Sequence, residues 1–124
     1  MKMLLDTQAF IWWLANDPRL GEAAREAITG ADIVMVSAAS AWEAGIKSSL
    51  GLLDLGCAFA DAVRDCGFEA LPVTMAHAEA AGALPRYHAD PVDRMLVAQA
   101  QEESLVLLTG DERFRPYGVE ILWT

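Results

Sequence analysis

Met3-Leu4-Leu5-Asp6-Thr7 is a short apolar run that ends on a carboxylate and passes straight into a helical pattern. With no polar alternation, it suits a strand buried on both faces, as in a parallel sheet covered by helices. Asp6 then stands at the strand's carboxyl end, the edge where open α/β sheets bind ligands. Asp6 is equally suited to cap the helix predicted over Gln8 to Ala15, and taken alone it does not decide between the two roles.

The same alternation of short apolar runs and helical patterns continues along the chain. In the first helix Phe10, Ile11 and Leu14 recur at helical spacing beside Trp12 and Trp13, leaving apolar surface that something must cover. Asp17-Pro18 reads as an N-cap followed by proline at the first helical position, predicting a helix over Arg19 to Thr29 that stops at Gly30. Ile33 to Val36 is a second buried strand ending at Ser37. The next helix carries Ile46 and Leu50 inward to Gly51, with Ser40 and Glu43 matching the S-x-x-E capping box. A small helix around Phe59 and Val63 closes at Gly67. A third strand, Glu69 to Val73, follows, and Thr74 caps a helix over Met75 to Ala83. Leu84 to Ala89 is a polar connection, and Asp90-Pro91 repeats the cap-then-proline signal to open a helix reaching about Glu103. Leu105 to Leu108 is the fourth strand, Arg113 to Gly118 a loop, and Val119 to Trp123 the last strand. This order predicts an α/β fold, a three-layer α/β/α sandwich on a mainly parallel sheet.

At 124 residues, 54% of them apolar, residues 1–124 are expected to form one domain with a core that needs no metal or disulfide staple. Cys57 and Cys66, nine apart in helix-like sequence, would lie roughly 13 Å apart on a helix, too far to bridge, and so read as reduced. No leader pattern opens the chain and no apolar run reaches membrane-spanning length, so a soluble, cytoplasmic protein with no membrane partner is expected. Nine basic against eighteen acidic residues, net −9, argue against tight non-specific adhesion to nucleic acid. They do not exclude a nuclease, because clustered carboxylates holding divalent cations become locally neutral or positive.

Four acids fall at element ends that share one edge of such a sheet. Asp6 follows the first strand, Glu43 lies in the first turns of the helix after the second, Asp93 in the first turn of the helix before the fourth, and Asp111 just past the fourth. Each has a local role open to it as capping partner, helix-dipole charge or turn former. Together they form a cluster that raises its own pKa values and costs stability unless a cation sits among them. An all-oxygen set suits a hard ion, Mg²⁺ or Mn²⁺, and the chain offers neither thiolate pairs nor a two-histidine spacing for zinc.

Four motifs in order carry a family resemblance. They are Leu4-Leu5-Asp6-Thr7; Ser37-x-x-Ser40-x-Trp42-Glu43-x-x-Ile46-Lys47-x-x-Leu50-Gly51; His88-x-Asp90-Pro91-x-Asp93-Arg94-x-Leu96-Val97-Ala98-Gln99-Ala100; and Leu108-Thr109-x-Asp111-x-x-Phe114. Over nearly the whole chain this pattern resembles PIN-domain ribonucleases, and within them the VapC toxins of bacterial type II toxin–antitoxin pairs. The resemblance implies a five-stranded parallel sheet, Mg²⁺- or Mn²⁺-dependent RNA hydrolysis, a homodimer, and inhibition by a VapB-like antitoxin. By motif position it gives the metal-binding and catalytic role to Asp6, Glu43, Asp93 and Asp111, with Thr109 as a supporting hydroxyl and Asp90 as the cap beside Asp93. Gln8 departs from the histidine common after the first motif's acid, which leaves the acids untouched.

Other residues weigh less. His77 and His88 read first as surface or core fillers; Lys47 and Arg94 as structural ion-pair partners that could also touch phosphate; Trp13 and Trp42 as core or interface packing before base stacking. A receiver-like signalling domain would want a lysine just after the late strand, where Thr109-Gly110-Asp111 stands, and a haloacid-dehalogenase-like phosphatase an aspartate at Gln8.

Overall fold

A computed structural model describes residues 1–124. The chain runs β1 (Lys2–Leu5), α1 (Thr7–Leu14), α2 (Glu22–Gly30), β2 (Ile33–Ser37), α3 (Ala38–Ser49), α4 (Phe59–Asp65), β3 (Glu69–Leu71), α5 (Met75–Ala83), α6 (Pro91–Glu102), β4 (Val106–Thr109), a 3₁₀ turn (Glu112–Tyr117) and β5 (Ile121–Trp123). The five strands pair in the order β3-β2-β1-β4-β5, and every pairing is parallel. The chain therefore builds outward from β1 to β3, then crosses back to lay β4 on the other side of β1. This reversal puts the topological switch point between β1 and β4, where such sheets open a crevice at the strands' carboxyl ends.

β1 is buried on both faces, as its unbroken apolar run requires. Met3 and Leu5 point into one layer, with Phe10 of α1, Ala24 and Ile28 of α2 and Ala62 and Val63 of α4. Leu4 points into the other, with Leu96, Val97 and Ala100 of α6, Leu107, Phe114 and Tyr117. α5 packs on α6, and α3 touches α1, α4 and α6, bridging the two layers.

Several local expectations change. Asp17-Pro18 does not start α2: the Asp17 carboxylate accepts the Arg19 amide and pairs with its guanidinium, Leu20 donates back to Asp17, and the helix begins after Gly21. An Asx turn has used the same aspartate that a helix cap would need. Ser40 and Glu43 are not a capping box, because α3 starts a turn earlier with Ser37 accepting the Ala39 amide. Ile46 and Leu50 do not face inward; they are 42% and 66% exposed, while α3 buries the small face of Ala39, Ser40 and Ala44. The expected loop after Asp111 is mostly a 3₁₀ turn that buries Phe114 and Tyr117. Cys57 and Cys66 are both free, and no helix is long and apolar enough to cross a membrane.

The layer assignment is open to test by chemical denaturation. Leu4→Ala and Leu107→Ala, each emptying a fully buried position, are expected to cost about 2–5 kcal/mol. Leu52→Ala, at a position 72% exposed, should stay within about 0.5 kcal/mol. Equal effects at all three positions would contradict the packing described.

Candidate active site

Asp6 sits where β1 ends, at the switch point. Its backbone amide donates to the Leu108 carbonyl of β4 at 3.0 Å, and its side chain does two things at once. Oδ1 caps α1 by accepting the Ala9 amide at 2.7 Å, and Oδ2 accepts the Thr109 hydroxyl at 2.5 Å. The Thr109 oxygen in turn accepts the Asp111 amide at 3.0 Å. One buried threonine thus ties the acid after β1 to the acid after β4.

Glu43 is brought in from α3 beside a buried hydroxyl pair. Thr7, the first residue of α1, donates to Ser40 of α3 at 2.8 Å. Glu43 lies three residues beyond Ser40, hence on the same helix face. It approaches Lys47 at 3.9 Å.

Asp93 enters from the first turn of α6. Asp90 is the N-cap, its Oδ1 accepting the Asp93 amide at 3.0 Å, with Pro91 at the first helical position. Asp93 Oδ2 meets His88 Nε2 at 2.8 Å, and the same nitrogen lies 3.7 Å from Asp111 Oδ2. His88 is no mere filler: it is buried beside two of the acids, its ring edge-on to Phe114. The only sequence signal for this was its place in the motif, two residues before Asp90. Arg113, also unremarked in sequence, makes a two-pronged pair with Asp111 through Nε and a terminal nitrogen at 3.0 and 2.7 Å. Arg94, by contrast, makes no ion pair; its guanidinium donates to the carbonyls of Ala81, Leu84 and Pro85.

Asp6, Glu43, Asp93 and Asp111 line one open cavity of about 370 Å³, together with Asp90, Lys47, Arg113, Trp12 and the Gln8 segment. His77 lies elsewhere, completing a capping box with Thr74 and contacting Glu103 and Gln99. Trp13 packs on Phe68, and Trp42 is 63% exposed outside the cavity.

The acids differ in how firmly they hold protons. Burial pushes Asp6 up to about 6, its hydrogen bonds from Thr109 and Ala9 opposing the rise while Asp111 and Glu43 add to it. Burial, then the charges of Asp90, Glu43, Asp6 and Asp111, push Asp93 to about 7. Asp111 moves the other way, held below the usual carboxylate range chiefly by its hydrogen bonds from Arg113. Burial and like-charge repulsion at Asp6 and Asp93 both ease when a cation enters. The four carboxylates offer the hard oxygen donors that suit a hard divalent metal; the atoms close enough to share one ion as the side chains stand are those of His88, Asp93 and Asp111, with Asp6 and Glu43 outside that set.

Comparison with known proteins agrees with this geometry. Residues 3–119 match the PIN domain family. The chain is 36% identical to Ribonuclease VapC22 of Mycobacterium tuberculosis over 123 residues, 93% of this chain and 91% of the relative. Its fold superposes on VapBC2 of Rickettsia felis, solved bound to a promoter DNA fragment, with a TM-score of 0.75 at 14% identity, covering 99% and 98% of the two chains. It also superposes on VapC20 of Mycobacterium tuberculosis, described as a sarcin–ricin loop cleaving toxin, with a TM-score of 0.64 at 20% identity, covering 94% and 95%. The five-stranded parallel sheet, the acids gathered at its switch point and the match along almost the whole sequence make this chain a VapC-type member of the PIN-domain family.

Proposed function

We propose that residues 1–124 act as one unit, a metal-dependent endoribonuclease that is the toxin of a toxin–antitoxin pair and works in the cytoplasm. The observation that carries this reading is the convergence of four acids from four segments on one open cavity, in a chain 36% identical to a ribonuclease. In this reading Asp6, Glu43 and Asp93 hold the ion, Mg²⁺ or Mn²⁺, and Asp111 orients the attacking water or helps to hold a second ion. An ion held by these residues would supply Lewis-acid chemistry, lowering the pKa of water and offsetting charge on a phosphodiester. Thr109 keeps Asp6 aimed by donating to Oδ2, and Asp90 sets the first turn of α6 so that Asp93 faces the cavity. Lys47 and Arg113, the two cations on the cavity wall, are placed to take substrate phosphate.

The same reading includes a VapB-like antitoxin and a second copy of this chain. Apolar grooves flank α3 on both sides, one against Val73, Val92 and Met95, the other against the Leu53–Phe59 segment. Trp42, Ile46, Leu50 and Leu52 stand exposed on α3 and the turn after it. The uncovered surface expected of α1 is smaller, since Phe10 is fully buried and Ile11 to Leu14 are half-buried. A contiguous apolar patch of this kind marks an interface, and an arginine of the antitoxin would find bidentate partners among the acids.

Activity, thermal stability and assembly each test this. Freed of any antitoxin, the protein should cut RNA in Mg²⁺ or Mn²⁺ and stop in EDTA. Asp93→Asn should remove nearly all cleavage with the fold intact, while Asp90→Asn keeps much of it because asparagine caps as well as aspartate. Cleavage that survives chelation, or the reverse ranking of the two variants, contradicts the assignment.

The second outcome is thermal. The folded-state values of Asp6 and Asp93, about 6 and about 7, lie above the 3.8 of a free aspartate. Their protonation therefore favours the fold fully below the free value, and that contribution is lost as pH rises through the folded ones. A metal competes for the same oxygens, so the gain in Tm from saturating Mn²⁺ should be small near about pH 5 and larger near about pH 8. A gain independent of pH would mean that the ion binds elsewhere.

The third concerns assembly: the chain isolated from its native host should elute above monomer size with a small partner, and Leu50→Glu should release a partner while leaving the far-UV circular dichroism of the chain unchanged. A partnerless monomer overturns this part of the reading.

A further inference from the structure

His88 lies in the connection between α5 and α6, and its ring is held from every side. Its backbone amide donates to the Tyr117 hydroxyl at 2.9 Å, and that hydroxyl donates to the Pro85 carbonyl at 2.9 Å. Arg94, on the second turn of α6, reaches back to the carbonyls of Ala81, Leu84 and Pro85 and clamps the connection onto the helix. Phe114 supports the ring edge-on at 5.8 Å between centroids.

The two ring nitrogens have different partners, and this decides where the proton sits. Nδ1 faces the backbone N–H of Asp90 at 3.3 Å, a group that can only donate. Nδ1 is therefore the acceptor and Nε2 carries the hydrogen. That N–H points to Asp93 Oδ2 at 2.8 Å, whereas Asp93 Oδ1 has no hydrogen-bond partner in the chain. A direct ligand role for His88 would need the opposite tautomer and would cost the Asp90 amide its acceptor. That amide belongs to the residue that caps α6 and accepts the Asp93 amide.

We infer that His88 is a positioning residue for Asp93: its Nε2–H anchors one carboxylate oxygen so that the other is presented to the ion, and His88 itself stays off the metal. This rests on the proposed function in taking Asp93 as a ligand. Partners of this kind that orient a ligand change metal affinity by about 10- to 100-fold when removed.

The test uses the full chain free of antitoxin and Mn²⁺ as the probe, with free Mn²⁺ counted by electron paramagnetic resonance. His88→Leu fills the space without a donor and should weaken Mn²⁺ at least about 10-fold; His88→Gln offers an amide N–H in place of Nε2–H and should stay within about threefold of wild type. Ring ¹⁵N spectra of the wild type should show the Nε2–H tautomer both without and with Mg²⁺. Wild-type affinity in His88→Leu sinks the inference alone. A switch to the Nδ1–H tautomer on adding Mg²⁺, or a His88→Gln variant as weak as His88→Leu, makes His88 a ligand instead. If His88→Leu does not fold, His88→Gln and the spectra still decide. No Mn²⁺ uptake by the wild type would sink the functional reading and this inference with it.

Discussion

A carboxylate buried at the point where a parallel sheet changes direction is the constraint on which the rest of this molecule depends. Asp6 is buried, and a buried acid costs stability unless its oxygens are satisfied. Both are: one by the first turn of α1, the other by the Thr109 hydroxyl across the β1–β4 seam. The arrangement works only if β4 returns to lie beside β1 with Thr109 level with the end of β1. The register that pairs Leu5 with Leu108 provides it. The Thr7–Ser40 hydroxyl pair on the other side of Asp6 does the same for α3. Two short hydroxyl contacts thus convert a sheet topology into the spacing of an acid cluster.

That cluster works against the fold that holds it. Burial and mutual repulsion raise Asp6 and Asp93, while Asp111 is relieved by its own Arg113. The chain accepts this cost because the surrounding layers are closely filled: Met3, Leu4 and Leu5 are fully buried, as are Leu96, Leu107 and Leu108. Local destabilisation supported by a rigid frame is the usual condition of a site awaiting a charge from outside the chain.

Much of this was legible in the sequence, for physical reasons that can be named. Buried parallel strands are continuous apolar runs, so β1, β2 and β4 stood out. Cap residues followed by proline or a helical period placed α5 and α6 within a residue of their ends. The element ends bearing Asp6, Glu43, Asp93 and Asp111 followed from those assignments. What escaped was whatever depends on competition between local hydrogen bonds or on tertiary contact. Asp17 had two turn chemistries open to it and took the one completed by Arg19. Ser37 rather than Ser40 caps α3, leaving Ser40 to meet Thr7. Arg94 could not be read as a carbonyl clamp, nor His88 as a neighbour of the acids, because both depend on how one connection folds back over α6.

The Thr109–Asp6 hydrogen bond joins residues 103 positions apart. Contacts at such separation carry a larger loop-closure cost than local ones, and that cost falls when the intervening chain is already ordered. A polypeptide emerging from the ribosome can therefore complete β1, β2 and β3 and their helices while its acid cluster still lacks one wall. The cavity closes only when β4 slides in beside β1. A chain that has made only its first three strands carries Asp6 and Glu43 without Asp93 and Asp111, so the chemistry proposed for this site depends on a pairing between the first strand and the fourth.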